Sequence, residues 1–439
     1  MLSQSKQEKN QSAMLTCRKA LAVLLLLMAV ITARAFVSVS GGLLLRNGEP
    51  YRFVGTNLWY APILASTGQG GDRQRLAREL DALSAIGVSN LRVLVGSDGP
   101  RGVRTKVEPT LQEAPGVYND TLLDGLDYFM AEAARRDMQV VLYLNNSWEW
   151  SGGYAYYLEQ AGEASAPLSS EVPWQAYCQY QSRFSTNRRA QQLFLDHVRY
   201  IVTRTNRYTG LPYADDPALM AWQIGNEPRA FSPEVKEPFA RWLSETAALI
   251  RSLDANHLIS IGSEGIIGCE GDSALYRRIS SDPNIDILNL HIWPSNWGWA
   301  SKTVDDGDLE RSVGETLRYI NAHVALGRQL GKPVVIEEFG FPRDGGSRGV
   351  GTPVLARDIY YDFILSRLVE AAESGDSPLM GVNFWAWGGS ALPAHDEWMP
   401  GDDYCGDPAH EPQGLYSVFA TDTTTLRLIQ SAAFMTNNR

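Results

Sequence analysis

An α/β fold, a (β/α)8 TIM barrel with enlarged loops after its third and eighth strands, is what this sequence predicts, on three observations. Eight short runs rich in apolar and β-branched residues recur along the 439 residues, stretches of helical periodicity separate them, and no Gly-rich nucleotide-binding turn follows any run. The runs are continuously apolar rather than alternating, which is the pattern of strands buried on both faces of a parallel sheet. A doubly wound open sheet is the competing arrangement, and it would need the G-x-G-x-x-G or P-loop signature that is missing.

Taken in order, the strand runs are 51–57 (YRFVGTN), 89–95 (SNLRVLV), 139–145 (QVVLYLN) and 218–224 (ALMAWQI). Then follow 258–262 (LISIG), 285–291 (IDILNLH), 333–338 (PVVIEE) and 380–385 (MGVNFW). Helices are expected over 72–86, where Leu76, Leu80, Leu83 and Ile86 share one face, and over 190–204, 238–253, 309–330 and 356–374. Two connections are long, 146–185 after the third strand and 386–422 after the eighth. Loops of that length in a compact domain carry function or cover a site.

Residues 1–35 are set apart from this pattern. Lys6, Lys9, Arg18 and Lys19 precede an apolar run over 20–31, and Ala33-Arg34-Ala35 follows it. That order describes a secretory signal peptide, with Met14 as an alternative start. The run is short for a bilayer, so an uncleaved anchor is the second reading and no stable membrane insertion is expected after cleavage. A secreted protein, extracellular or periplasmic, is therefore expected, with residues 36–439 as a single barrel domain free of linkers, charge blocks and repeats.

Composition narrows the class further. A net charge of −11 with a pI near 5.2 leaves no basic footprint, so no nucleic-acid partner is expected. Twelve Trp and nineteen Tyr are many, and such rings fill cores or hold polar ligands with apolar faces, sugars above all. Cys17 precedes the apolar run, which leaves Cys178, Cys269 and Cys405. They have no C-x-x-C spacing, so no metal site follows from them and at most one disulfide, whose pairing stays open. No cofactor is implied.

In a barrel of this kind reactive groups sit at the C-terminal ends of strands. The fourth run opens into Asn226-Glu227-Pro228-Arg229 and the seventh ends Glu337-Glu338-Phe339-Gly340. A carboxylate at each of two strand ends three apart is the arrangement a retaining glycosidase needs, one group protonated and the other ionised. A lone Glu at a strand end more often caps a helix or pairs with Arg; two in this relation point to chemistry.

N-E-P after strand four and E-F-G after strand seven resemble glycoside hydrolases of clan A, family five in particular. The opening FVGTNLWY, GVSNLRVL in strand two and H-x-W-P-S-N-W after strand six resemble its mannan-cleaving branch, over essentially the whole chain beyond residue 35. The resemblance implies Glu227 as acid/base and Glu338 as nucleophile, with Glu337 on the other side of the strand because side chains alternate. It implies further that Asn226 bonds the sugar 2-hydroxyl, that Arg92 keeps the nucleophile ionised, and that His291 lies near the acid/base; read as a lone charge in an apolar strand, Arg92 could also form a plain core salt bridge. Trp385 resembles the platform beneath the sugar at the cleavage point, and Trp148, Trp297 and Trp387 extend that surface or pack the core. Many relatives carry Tyr two residues after the His; this chain has Trp293, whose indole N–H only donates. His197, His257, His323, His395 and His410 have no such context.

The activity so implied is retaining hydrolysis of β-1,4-mannosidic linkages within mannans or manno-oligosaccharides, by a cofactor-free, monomeric enzyme. The alternatives are an exo-acting β-mannosidase, whose loop over 391–413 walls off one end of the cleft, and a β-1,4-glucanase of the same family. A carbohydrate-binding protein with a dead barrel site comes last.

Overall fold

A computed structural model describes residues 36–437 apart from Arg101 and Arg104; the expected signal peptide lies outside the described residues. Eight parallel strands form the central sheet: β1 Phe53–Asn57, β2 Asn90–Leu94, β3 Gln139–Tyr143, β4 Leu219–Gln223, β5 Leu258–Ser260, β6 Leu288–Ile292, β7 Val334–Phe339 and β8 Leu379–Phe384. Each pairs with its sequence neighbour, and β8 pairs with β1. A parallel bridge between Ser260 and Ile287 joins β5 to the start of β6 and closes the barrel. The expected (β/α)8 architecture is present. Every residue of these strands is buried, which is why their sequences run apolar without alternation.

The helices are α1 Arg73–Ala85, α2 Asp120–Arg135, α3 Arg188–Val202, α4 Lys236–Leu253, α5 Ser273–Ser280, α6 Asp308–Leu330, α7 Leu355–Ser374 and α8 Thr423–Asn437. Several begin on an Asp or Asn that takes the first free amides: Asp72 accepts from Arg75 N, Asn119 from Thr121 N and Leu122 N, Asn187 from Arg189 N and Ala190 N, and Asp272 from Leu275 N. The five helices expected from periodicity lie within about two residues of their observed bounds. The α2, α5 and α8 segments were not among them. In α5 only eight residues carry the apolar face, too few for a period to stand out. The 146–185 connection also differs from a plain loop, since it holds helices Gly153–Gln160 and Trp174–Gln181. Gly153–Gln160 is buried almost throughout, so its sequence has no polar stripe to mark a helix.

The barrel interior is layered. At the N-terminal end Val37 and Leu44, from a small antiparallel sheet (Ser38–Ser40, Leu43–Arg46, Glu49–Pro50), pack with Phe53, Val141, Met220, Leu258 and Ile287 as an apolar plug. Above it Asn383 donates to Asn90 Oδ1 at 3.1 Å. Towards the C-terminal end the lining turns ionic, with Arg92, Gln223, His291, Glu337 and Glu338 all buried. Apolar closure below and charge above leave one end of the barrel for chemistry. Cys178, Cys269 and Cys405 are all free, and no described helix is long and apolar enough to cross a membrane.

Candidate active site

The N-E-P turn is built by its neighbours. Beyond β4 the chain keeps pairing: Asn226 N donates to Asn145 O at 2.8 Å and Glu227 N to Gly262 O at 2.8 Å. These contacts hold Glu227 at φ 49, in the left-handed region that a non-glycine residue occupies only when its surroundings impose it. Gly262 is the glycine this turn requires, at φ +81 with a Cβ that would collide with the Gly225 carbonyl. The Glu227 side chain accepts from Trp148 Nε1 on Oε2 at 2.6 Å and meets His291 Nδ1 at Oε1 at 2.8 Å.

Glu338 faces it from β7. Arg92 Nη1 donates to its Oε1 at 2.5 Å and Trp293 Nε1 to its Oε2 at 3.1 Å. The Trp293 indole thus supplies the donation expected of it. Arg92 is fully buried and spends its remaining donors on Gln223 Oε1 (2.9 Å), Asn57 Oδ1 (3.0 Å) and Asn226 Oδ1 (2.8 Å). One cation therefore orients the nucleophile candidate and the Asn beside the acid/base candidate together.

The β7 register corrects one expectation. Leu290 of β6 pairs with Ile336 and His291 with Glu338, so Glu337 is an extra residue in a bulge. Strict alternation would turn Glu337 out of the barrel. Instead both glutamates are buried and both reach the ionic cluster, Glu338 through Arg92 Nη1 and Glu337 with Oε2 3.8 Å from Arg92 Nε.

The electrostatics tie the three acids to His291. Burial alone favours the neutral imidazole, yet the charge of Glu338, the bond and charge of Glu227 and the nearness of Glu337 raise it to about 9. Burial also works to raise Glu227, but the His291 hydrogen bond and charge, Arg229 and the Trp148 N–H hold it below the usual carboxylate range. Glu338 is pushed up to about 7 by burial, against the pull of His291 and Arg92. His291 Nδ1 lies 3.3 Å from Glu338 Oε2 as well, so one ring nitrogen faces both acids. Glu227, His291 and Glu338 offer three ligand atoms within 4.8 Å of one another, the metal-sized grouping found among the described residues. Arg92 and Trp293 donate to Glu338, and Trp148 to Glu227, which also meets His291, so hydrogen bonds hold this grouping together.

These groups open into a cavity of about 570 Å³, in the size range of small-molecule sites. Trp148, Asn226, Glu227, Trp293, Glu338, Trp385 and Trp297 line it, while Arg92 and His291 stand behind the two acids. Trp387 does not reach it: its ring is buried and its N–H donates to Glu79 Oε2 at 2.8 Å. Trp385 meets Trp293 edge to face at 5.8 Å, and Trp293 is braced in turn by Tyr416. Sequence reasoning expected a wall from the loop over 391–413 but did not single out the residues that form the far wall, Glu149, Trp150, Trp174, His410 and Glu411. His410 stacks on Trp150 at 5.4 Å, and Glu411 Oε2 has no hydrogen-bond partner among the described residues; burial raises that carboxyl well above the ordinary range. No motif marks these residues. The one signal was the length of the two loops that carry them.

The loop after β8 is anchored from beneath. Asp407 accepts from Gly414 N (2.8 Å), Tyr416 N (2.9 Å) and Ser417 N (3.2 Å). Arg343 donates to Asp422 Oδ1 at 3.0 Å, and Arg357 takes the carbonyls of Phe341, Leu415 and Ser417. A buried polar net thus fixes the segment that presents His410 and Glu411.

Comparisons with known proteins bear on this geometry. A family described as GH family 5 beta-mannosidase-like matches residues 34–438. The glycoside hydrolase family 5 mannosidase of Rhizomucor miehei is similar at 32% identity, over 92% of this chain and 97% of that one, with a TM-score of 0.85. The mannan endo-1,4-beta-mannosidase 1 of Oryza sativa subsp. japonica is 27% identical over 90% of this chain and 87% of its own length. The endo-1,4-beta-mannanase of Rhizomucor miehei shares the fold, with a TM-score of 0.69 at 23% identity.

Proposed function

We propose, for a chain that belongs to the β-mannosidase-like group of glycoside hydrolase family 5, retaining hydrolysis of β-1,4-mannosidic linkages in mannans or manno-oligosaccharides. The observation that carries the retaining course is the closeness of the two acids. One oxygen from each of Glu227 and Glu338 lies within 4.8 Å of the other, near the ~5–5.5 Å of retaining pairs and short of the ~6.5–9.5 Å that inverting pairs need for a water.

The free site favours a proton on Glu338 over Glu227, so in this reading the reacting form is the one in which Glu227 carries the proton and Glu338 is ionised. Glu338 then attacks the anomeric carbon while Glu227 gives its proton to the departing oxygen, so the C–O bond breaks as the glycosyl-enzyme ester forms. Water then attacks the same carbon, Glu227 takes the water's proton, and the Glu338 carboxylate leaves. Asn226, held by Arg92, stands where a 2-hydroxyl bond would strengthen as charge develops, and Trp385 forms the apolar floor.

The test is a pair of variants. Glu338→Ala should lose hydrolysis and regain turnover with azide, giving a product of inverted configuration. Glu227→Ala should still glycosylate Glu338 from substrates with good leaving groups, and azide should then give a retained product. Azide rescue with inversion at position 337 would move the nucleophile by one residue.

Cleavage inside mannan chains is the first reading, in keeping with the relatives named for that activity. A second, release of single mannosyl units from chain ends, is favoured by the wall of Pro408, His410 and Glu411 on the cavity and by the likeness to the Rhizomucor miehei mannosidase. Products from mannohexaose separate the two: mannose alone supports the second, mannobiose with mannotriose the first. We further propose export after cleavage near Phe36, read by N-terminal sequencing of secreted protein, and a monomer without nucleic-acid partners, read by light scattering.

A further inference from the structure

The bulge in β7 leaves one buried carboxylate outside that scheme. Glu337 is 2% exposed, and its Oε2 accepts from Gln223 Nε2 at 2.6 Å. Gln223 Oε1 accepts from Arg92 Nε, and Arg92 donates to Glu338, so a chain of bonds runs from Glu337 to Glu338. On the other side the His291 ring is wholly buried and its Nε2 has no hydrogen-bond partner among the described residues; Glu337 Oε2 faces it at 3.9 Å. The other charged groups around the ring are Glu227 at the mouth of β4, Glu338 on β7, and Glu264 beyond β5, which is held by Arg229 and whose backbone carbonyl takes the His291 amide. Arg92 stands between Glu337 and Glu338 on the β2 side.

We propose that Glu337 is a positioning residue that holds His291 as an imidazolium, so that one cation faces both reacting carboxylates. The inference rests on the reading of Glu227 and Glu338 as the reacting pair. His291 Nδ1 lies 2.8 Å from Glu227 Oε1 and 3.3 Å from Glu338 Oε2, and Nε2 is turned towards Glu337 Oε2. Both ring nitrogens thus face carboxylate oxygens, which accept when ionised, and a neutral ring would set a lone pair against one of them in a buried setting. An imidazolium presents N–H on both sides, and its charge is balanced on the buried side of the ring, where Glu337 lies. The high proton affinity of His291, to which Glu337 contributes, agrees with this arrangement.

Glu337→Gln tests it, because the amide keeps the shape and still accepts from Gln223 while losing the charge. Removing a negative charge lowers the proton affinity of the whole cluster, so the basic limb of kcat/KM should move towards acid by about one pH unit. A purely structural role would lower Tm and leave that limb in place. Imidazole ¹⁵N shifts of the wild-type protein should show both His291 nitrogens protonated at pH 8, with the signal assigned by its loss in His291→Gln. An unmoved basic limb in Glu337→Gln overturns the proposal, and so does a neutral His291 at pH 7, which decides the matter even if the variant does not fold. Failure of the wild-type protein to cleave mannosides would instead sink the reaction assignment, and the ¹⁵N shifts would still report on His291.

Discussion

Arg92 carries more of the site than any other side chain. Its guanidinium meets Glu338, Asn226, Asn57 and Gln223 with complete burial. Lysine keeps the charge but has neither the planar fork nor the reach to serve four acceptors. Arg92→Lys should therefore lower kcat/KM by about 10²-fold or more. Arg92→Ala should go further and cost on the order of 3–5 kcal/mol of stability, because a buried carboxylate loses its partner. Steady-state kinetics with a thermal melt on each variant separates the two effects. The electrostatic role and the core salt bridge, alternatives at the sequence level, coincide in this residue. Glu227 and Glu338 were legible because strand ends are marked by abrupt changes from apolar to charged residues. The placing of Glu337 was not, since a bulge adds one residue to a strand without altering its composition.

Among the elements, the parallel strands and the longer helices could be read from their periods, whereas the connections after β3 and β8 could only be recognised by length. What shapes those connections is long-range: Asp407 and Arg357 bond backbone groups whose positions no local pattern predicts. Asp407→Ala should strand the amides of Gly414, Tyr416 and Ser417 in a buried setting, at about 1–3 kcal/mol for each group left unsatisfied. The loop after β8 should then loosen before the barrel does. The expected result is a rise in KM with a smaller change in kcat, and new proteolytic cleavage confined to residues 386–422 at temperatures where α1 to α7 stay protected. Cleavage spread across the chain would mean that the loop and the barrel unfold together.

For the molecule as a whole, buried acids set the dependence of stability on pH. Burial raises Asp98 to about 7 against the hydrogen bonds of Gln112 and Tyr157. The folded state thus prefers the neutral acid, a contribution fully present below the unfolded value near 3.8 and lost as pH rises through 7. Asp98→Asn should leave stability little changed near pH 4 and raise it above pH 7, by an amount on the order of 2–4 kcal/mol. His197 and His323 act in the opposite direction. Burial lowers each to about 4, so their contribution is present above 6.5 and lost as pH falls through 4. Melts of the wild type and the Asn variant from pH 4 to 9 measure both trends.

The join between β5 and β6 has a mechanical meaning. Seven of the eight strand pairs are full ladders, while this one is a single bridge with Asp286 N donating to Ile259 O. The barrel is in this sense a split ring. Its gap is spanned largely by groups beside the ladder: Asn289 Oδ1 takes Gly262 N at 2.8 Å, Tyr276 donates to Asn289 O at 2.6 Å, and His291 reaches across to Glu227. Glu227 stands on one lip of the split, with His291 and Glu338 on the other. The clasp that holds the ring shut is therefore also the gauge that sets the spacing of the two acids, and widening the gap would detune the chemistry before it cost the fold.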